Sequence, residues 1–235
     1  IINTNQKMKG IKYIMSVYVT GDTHGEYGRL LQFDMLLKPG DFIIVCGDFG
    51  YIFKNDANER RLLDDIETKE WNLLFVDGNH ENFDALYSYP EEEWHGGKIH
   101  RIAKNIIHLC RGQVFEIENK HFFTFGGGYS LDKIYRKERV SWWQQEMPSD
   151  KEFVEANKNL QRVGMHVDYI VTHTAPESVI AIMGHKSSEE SALNNYLEYI
   201  RECVKYDHWY MGHLHKDIDV SDKLSILWFE TRKII

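Results

Sequence analysis

Five short apolar runs in this chain each stop at a small cluster of aspartate, asparagine or histidine, most of them beside glycine. Residues 13–20 lead into Gly21-Asp22-Thr23-His24-Gly25, and residues 42–46 into Gly47-Asp48-Phe49-Gly50. Residues 72–76 lead into Asp77-Gly78-Asn79-His80, residues 168–172 into His173, and residues 209–211 into Gly212-His213-Leu214-His215. Apolar runs of this length bounded by turn residues predict strands. Helical spacing covers residues 27–37, about 57–69, about 150–162 and most of 188–206. This alternation predicts sheet strands joined by helical crossovers.

The middle of the chain reads differently. Residues 106–109, 114–117 and 121–125 are short strands with tight turns between them, the pattern of an antiparallel meander. A polar, aromatic insert fills 126–148, and residues 217–220 and 225–229 predict a hairpin around Ser221-Asp222-Lys223. Two packed sheets flanked by helices accommodate these elements, with strand order left open. A chain of 235 residues holds one substantial core, so residues 15–235 are read as a single domain. Residue 1 is not methionine, and residues 1–14 are read as an N-terminal extension, native or otherwise.

Each polar cluster falls at the C-terminal end of a predicted strand, the sheet edge where loops converge on ligands. Side chains two apart in extended backbone point the same way, so Asp22 with His24, and His213 with His215, can each grip one centre. Imidazole, carboxylate and carboxamide together suit Mn²⁺, Fe or Zn²⁺ better than Mg²⁺ or Ca²⁺. Singly, each residue has a plainer role. Asp22, Asp48 and Asn79 are ordinary turn residues at strand ends, and His173 sits in a loop that Pro176 closes. Their coincidence favours the metal reading.

The ordered set Gly21-Asp22-Thr23-His24-Gly25, Gly47-Asp48, Gly78-Asn79-His80-Glu81, Thr172-His173 and Gly212-His213-Leu214-His215 resembles the motifs of the calcineurin-like metallophosphoesterases. The resemblance spans residues 21–215 and implies a four-layer α/β/β/α sandwich of two mixed sheets flanked by helices. It further implies two divalent metal ions, Mn²⁺ foremost, with Fe or Zn²⁺ as alternatives. Carried over by motif, Asp22, His24 and His215 would hold one metal, Asn79, His173 and His213 the other, and Asp48 would bridge them. A bridging anion suits two cations ~3.5–4 Å apart, which otherwise repel. The implied reaction is hydrolysis of a phosphate monoester or diester by water activated between the metals. His80 belongs to neither metal in that pattern and would face the leaving oxygen as proton donor or positive charge. Glu81 would orient His80, hold it protonated or meet substrate. The Ser/Thr protein phosphatases of this superfamily continue their second motif with a further Asp-Arg-Gly. This chain reads Tyr51-Ile52-Phe53 there, which argues against protein phosphatase and symmetrical dinucleoside tetraphosphatase activity.

Within the insert, Gly126-Gly127-Gly128 allows close backbone approach, and Arg136 or Lys133 are candidates to meet substrate phosphate. The plainer reading is a flexible loop before a short helix. Trp142-Trp143 would stack on a nucleobase or pack against the core, and packing of at least one is expected. Glu91-Glu92-Glu93 reads as a solvated acidic run. His95, His100, His108, His121, His166, His185 and His208 read as surface or satisfied core residues.

Composition bounds the setting. Cys46, Cys110 and Cys203 are odd in number and are spaced neither as a disulfide framework nor as a thiolate metal site, so a reducing, cytoplasmic location is expected. No apolar run approaches the ~20 residues that span a bilayer, and the first ten residues lack the apolar stretch of a secretory signal. A net charge of −8 and a pI near 5.8 oppose phosphate backbones, so nucleic acid is an unexpected partner. A small phosphorylated substrate, a nucleotide among the candidates, stays compatible where metals supply charge. The rivals are a nuclease, disfavoured by the acidic surface, and a metal-bearing protein-binding scaffold, disfavoured by the complete ligand set.

Overall fold

The structure, a computed structural model, describes residues 15–185 and 188–235. The expected extension, residues 1–14, lies outside the described residues, as do the first two positions of the first predicted strand. In chain order the first half gives β1 (Val17–Thr20), α1 (Tyr27–Leu36), β2 (Phe42–Val45), α2 (Ala57–Glu67), β3 (Asn72–Phe75) and α3 (Phe83–Leu86). A hairpin of β4 (Glu91–Trp94) and β5 (Gly97–Ala103) follows, then β6 (Ile106–Leu109). Next come β7 (Gln113–Ile117), β8 (Lys120–Phe125), α4 (Asp150–Arg162), β9 (Tyr169–Thr172), α5 (Glu177–Ile182) and α6 (Ser191–Cys203). The chain closes with β10 (His208–Met211), β11 (Ile218–Ser221), β12 (Leu224–Ile226) and β13 (Thr231–Lys233).

Two mixed sheets result, one ordered β13-β1-β2-β3-β6-β5-β4 and the other β11-β12-β10-β9-β8-β7. Alternation along the strands sorts their side chains into separate cores. Val19, Ile44, Leu74 and Ile107 of the first sheet meet Phe115, Phe122, Val171 and Tyr210 of the second between the sheets. On the outer face of the first sheet, Ile43, Val45 and Leu73 pack against Leu30 and Phe33 of α1 and Leu62 and Ile66 of α2. On the outer face of the second, Phe123, Ile170 and Trp209 pack against Leu160 of α4 and Leu193 and Leu197 of α6. This is the α/β/β/α sandwich that the motifs imply.

The helices start where local chemistry allows. The Asp56 carboxylate accepts from Asn58 N–H and Glu59 N–H, capping α2 (both 2.9 Å). Glu152 reaches back to Ser149 N–H (2.7 Å) at the head of α4.

The expected meander is corrected. β6 pairs parallel with β3 and antiparallel with β5 in the first sheet, whereas β7 and β8 form an antiparallel pair in the second. The chain changes sheet between Leu109 and Gln113, where Arg111 is drawn into a buried ion pair with Asp77. Glu91-Glu92-Glu93 is an edge strand whose side chains alternate between exposed and half-buried, Glu92 meeting Arg101 of β5 (2.6 Å). The hairpin at the end forms as expected, and β13 then returns to pair antiparallel with β1.

Candidate metal centre

β1, β2 and β3 run parallel to one another, as do β9 and β10, so five strand ends deliver their loops to one edge. All seven expected ligands converge there. Four of them, His24, Asp48, His213 and His215, have positive φ (47°, 45°, 65° and 47°), a left-handed backbone that bulky residues rarely adopt. Backbone bonds hold two of these turns together: Thr23 N–H and His24 N–H both donate to the Asp48 carbonyl (3.1 and 2.8 Å).

Asp22, His24, Asp48 and His215 form one group, with one possible ligand atom from each lying within 4.8 Å of the others. His24 Nε2 and His215 Nε2 are 3.0 Å apart, and Asp22 Oδ2 lies 3.0 Å from His215 Nε2 and 3.8 Å from His24 Nε2. His173 centres the second group. Its Nδ1–H donates to the Cys46 carbonyl (2.8 Å), which leaves the Nε2 lone pair free. That Nε2 stands 3.1 Å from Asn79 Oδ1, 3.1 Å from His213 Nδ1 and 3.3 Å from Asp48 Oδ1. Asn79 turns its oxygen inward because its Nδ2 donates to Ser130 Oγ (3.1 Å).

Asp48 lies between the groups: Oδ1 faces His173 and accepts from His80 N–H (2.8 Å), while Oδ2 lies 3.9 Å from His24 Nε2. Burial works against its charge, but the imidazoles of His173, His80, His24 and His213 outweigh it and hold the carboxyl at about 2. Gly78 is required by this packing, since a Cβ there would come within 2.1 Å of Asp48 Oδ1.

The donor set fits divalent cations. Asp22 Oδ2 is buried yet accepts no hydrogen bond of good geometry, an expensive state for a carboxylate oxygen that a cation would relieve. Nitrogen lone pairs converge beside it, an arrangement that costs free energy without a shared proton or metal.

His80 stands at the rim. Its ring makes an edge contact with His24 (5.2 Å), and Arg136 donates to its Nε2 (3.1 Å). Burial, with Arg136 beside it, lowers the His80 pKa against the opposing pull of Asp48. The insert thus reaches the site, and Arg136 touches the residue expected to face the leaving group. Lys133 does not: its ammonium lies over the rings of Tyr129 and Trp142 and pairs with Glu146 (3.2 Å). Trp143 packs in the core, donating to Asp84 (3.0 Å). Glu81 departs from its expected roles. Fully buried, it accepts from Phe49 N–H (2.7 Å) and Gly50 N–H (3.4 Å), so it braces the loop after Asp48 and faces neither His80 nor solvent.

Sequence reasoning passed over Glu190. Its Oε1 lies 3.4 Å from His213 Nε2 and accepts from Tyr129 N–H (2.8 Å), and its Oε2 accepts from Thr174 Oγ1 (3.1 Å). Despite burial, His213, Tyr129 N–H and the Asn194 amide, which donates to Oε2 (3.2 Å), hold the Glu190 carboxyl at about 2. Trp228, also overlooked, stacks on His215 (5.2 Å, 13°).

No helix among the described residues is long and apolar enough to cross a membrane. Among curated proteins none matches the sequence. A solved Staphylococcus aureus structure of a candidate 5'-nucleotidase in complex with alpha-ketoglutarate aligns over 91% of this chain at 15% identity and a TM-score of 0.48. The present chain spans about half (48%) of that protein's length. The sequence model of the calcineurin-like phosphoesterase family matches residues 15–217, and with that match this chain belongs to the calcineurin-like phosphoesterases.

Proposed function

We propose that this protein hydrolyses small phosphate esters at a dinuclear centre. Asp22, His24 and His215 would hold one cation, Asn79, His173 and His213 the other, and Asp48 would bridge them. The observation that carries this reading is the division of Asp48, one oxygen toward His173 and the other toward His24. Two divalent cations supply an activated water and neutralise charge on the phosphate oxygens. The mixed imidazole, carboxylate and carboxamide donors are compatible with Mn²⁺, Fe or Zn²⁺, and Mn²⁺ is put first on the family resemblance alone.

The protein's own residues orient the substrate. His80 Nε2 and the Arg136 guanidinium that donates to it stand together at the rim, where Arg136 offers an incoming phosphate a cationic, donating fork. Arg136 is itself steadied by Asp132 (2.7 Å) and the Ser141 carbonyl (3.1 Å), so its fork is aimed before substrate arrives. His80 would stabilise or protonate the leaving oxygen only after the substrate phosphate draws Arg136 off its Nε2 and that nitrogen takes up a proton from solvent. A small cavity of about 140 Å³ adjoins His24 and His80, with Phe53 and Lys54 in its wall. That size suits a compact ester group, and Phe53 in its wall is available to meet an aromatic substituent.

A substrate panel tests the proposal. Phosphomonoesters, bis-aryl diesters, cyclic nucleotides and single-stranded DNA are assayed with Mn²⁺, Fe²⁺ or Zn²⁺, beside Asp48→Asn. Turnover of a small ester that Asp48→Asn abolishes is the expected result. Equal activity in the variant would assign the signal to a contaminant, and inactivity throughout would leave a metal-bearing scaffold.

A further inference from the structure

At the β4 edge of the first sheet, the outer face extends past α1 and α2 and is left with a cavity of about 770 Å³. Its floor holds three side chains that sequence spacing gave no reason to join. His100 of β5 and His108 of β6 are direct cross-strand partners, and Cys110 follows two residues later on the same face. His100 Nδ1 lies 3.0 Å from His108 Nδ1 and 3.6 Å from Cys110 Sγ, and one ligand atom from each of the three residues falls within 4.8 Å of the others.

The nitrogen–sulfur separation equals that around a tetrahedral zinc ion, and the two nitrogens, 3.0 Å apart, need to part by only a few tenths of an ångström. With Zn–N near 2.0–2.1 Å and Zn–S near 2.3 Å, two nitrogens stand about 3.3 Å apart and nitrogen and sulfur about 3.6 Å. The outer groups are also in place. His108 Nε2–H donates to Asp77 Oδ1 (3.0 Å), which leaves Nδ1 as the free lone pair, the carboxylate–histidine arrangement typical of zinc ligands. Arg111 holds the other Asp77 oxygen through two nitrogens (2.9 and 2.5 Å). Tyr87 stacks on the His100 ring (5.3 Å) and fixes its plane.

We propose that His100, His108 and Cys110 bind a single Zn²⁺ ion, separate from the dinuclear centre, with its fourth position open to the cavity. Thiolate with imidazole selects zinc over the harder cations. On binding, the Cys110 thiol loses its proton to solvent and His100 carries its proton on Nε2, so no oxidant or reductant is needed. The site ties the β5–β6 edge to Asp77, two residues before Asn79. The alternative is a simple His100–His108 hydrogen bond with Cys110 merely adjacent.

Cobalt substitution separates the two, because the seven ligands of the dinuclear centre include no sulfur. The full chain carrying Cys203→Ser is loaded with Co²⁺ and read for a thiolate-to-cobalt charge-transfer band, with bound metal counted in parallel. The band is expected, and Cys110→Ser should remove it together with one equivalent of metal. His100→Gln should do the same, while Asp22→Asn should keep the band. Far-ultraviolet circular dichroism of each variant shows that loss of metal is not loss of fold. Absence of the band in the loaded Cys203→Ser protein, or an unchanged band in Cys110→Ser, would overturn the site and leave only the hydrogen-bonded pair.

Discussion

Glu190 sets how firmly His213 presents its Nδ1, because the carboxylate holds the opposite ring nitrogen. Outer partners of this kind are worth about 10–100-fold in metal affinity, so Glu190→Gln should weaken binding by that order in a chelator competition assay. Glu190 also titrates below its usual range, at about 2 against 4.5. A depressed carboxyl pKa contributes stability that is complete above about 4.5 and lost as pH falls toward 2. Melts of the metal-free protein should therefore lose stability across that window, and Glu190→Gln should lose less. His80→Ala should lower kcat by about 10²–10⁴-fold with metal content nearly unchanged, because no ligand is removed. Loss of metal in that variant would reassign His80. The convergence of the seven candidate ligands was legible because they follow apolar runs in a fixed order. Glu190 was not, since it stands in an unremarked acidic stretch and meets His213 only once α6 packs on the second sheet. Glu81 was misassigned because adjacency to His80 in sequence conceals that its side chain turns toward Phe49 and Gly50.

The segment after β8 illustrates how an element can serve a site through what it lacks. At Gly128 a Cβ would lie 2.9 Å from His173 Cδ2, so the backbone runs against the ligand ring. Gly128→Val should displace His173 and reduce bound metal, with the far-ultraviolet circular dichroism spectrum unchanged; full metal content would show that the segment yields freely. Most strands and long helices were readable from apolar periodicity and turn residues, and α4 covers the expected residues 150–162. The sheet change between β6 and β7 was not. A short turn between two apolar runs reads as a hairpin, and the signal against it is the burial of Arg111 on Asp77, a contact 34 residues apart in sequence. The β4–β5 hairpin escaped for a related reason, as three consecutive glutamates mask an edge strand whose pairing is supplied by the backbone.

For the molecule as a whole, metal occupancy and folding would be linked under the proposed function, because the candidate ligands come from both sheets and are assembled only in the native state. A site held at 100 times its Kd adds about 2.7 kcal/mol, which for a chain of this size corresponds to a rise in Tm of about 5–11 °C. Calorimetry with and without chelator should show a shift of that order that grows with free metal, and a Tm indifferent to metal would contradict a preformed centre. The C-terminal stretch carries a separate consequence. The family match stops at residue 217, two positions beyond the last candidate ligand. Past that point β12 pairs with β10 in one sheet and β13 with β1 in the other, Trp228 lies under His215, and its carbonyl accepts from the buried Arg29 (2.9 Å). Residues 218–235 are therefore a strap sewn through both halves of the sandwich. A fragment trimmed to the family boundary would keep every candidate ligand and still be expected to come apart.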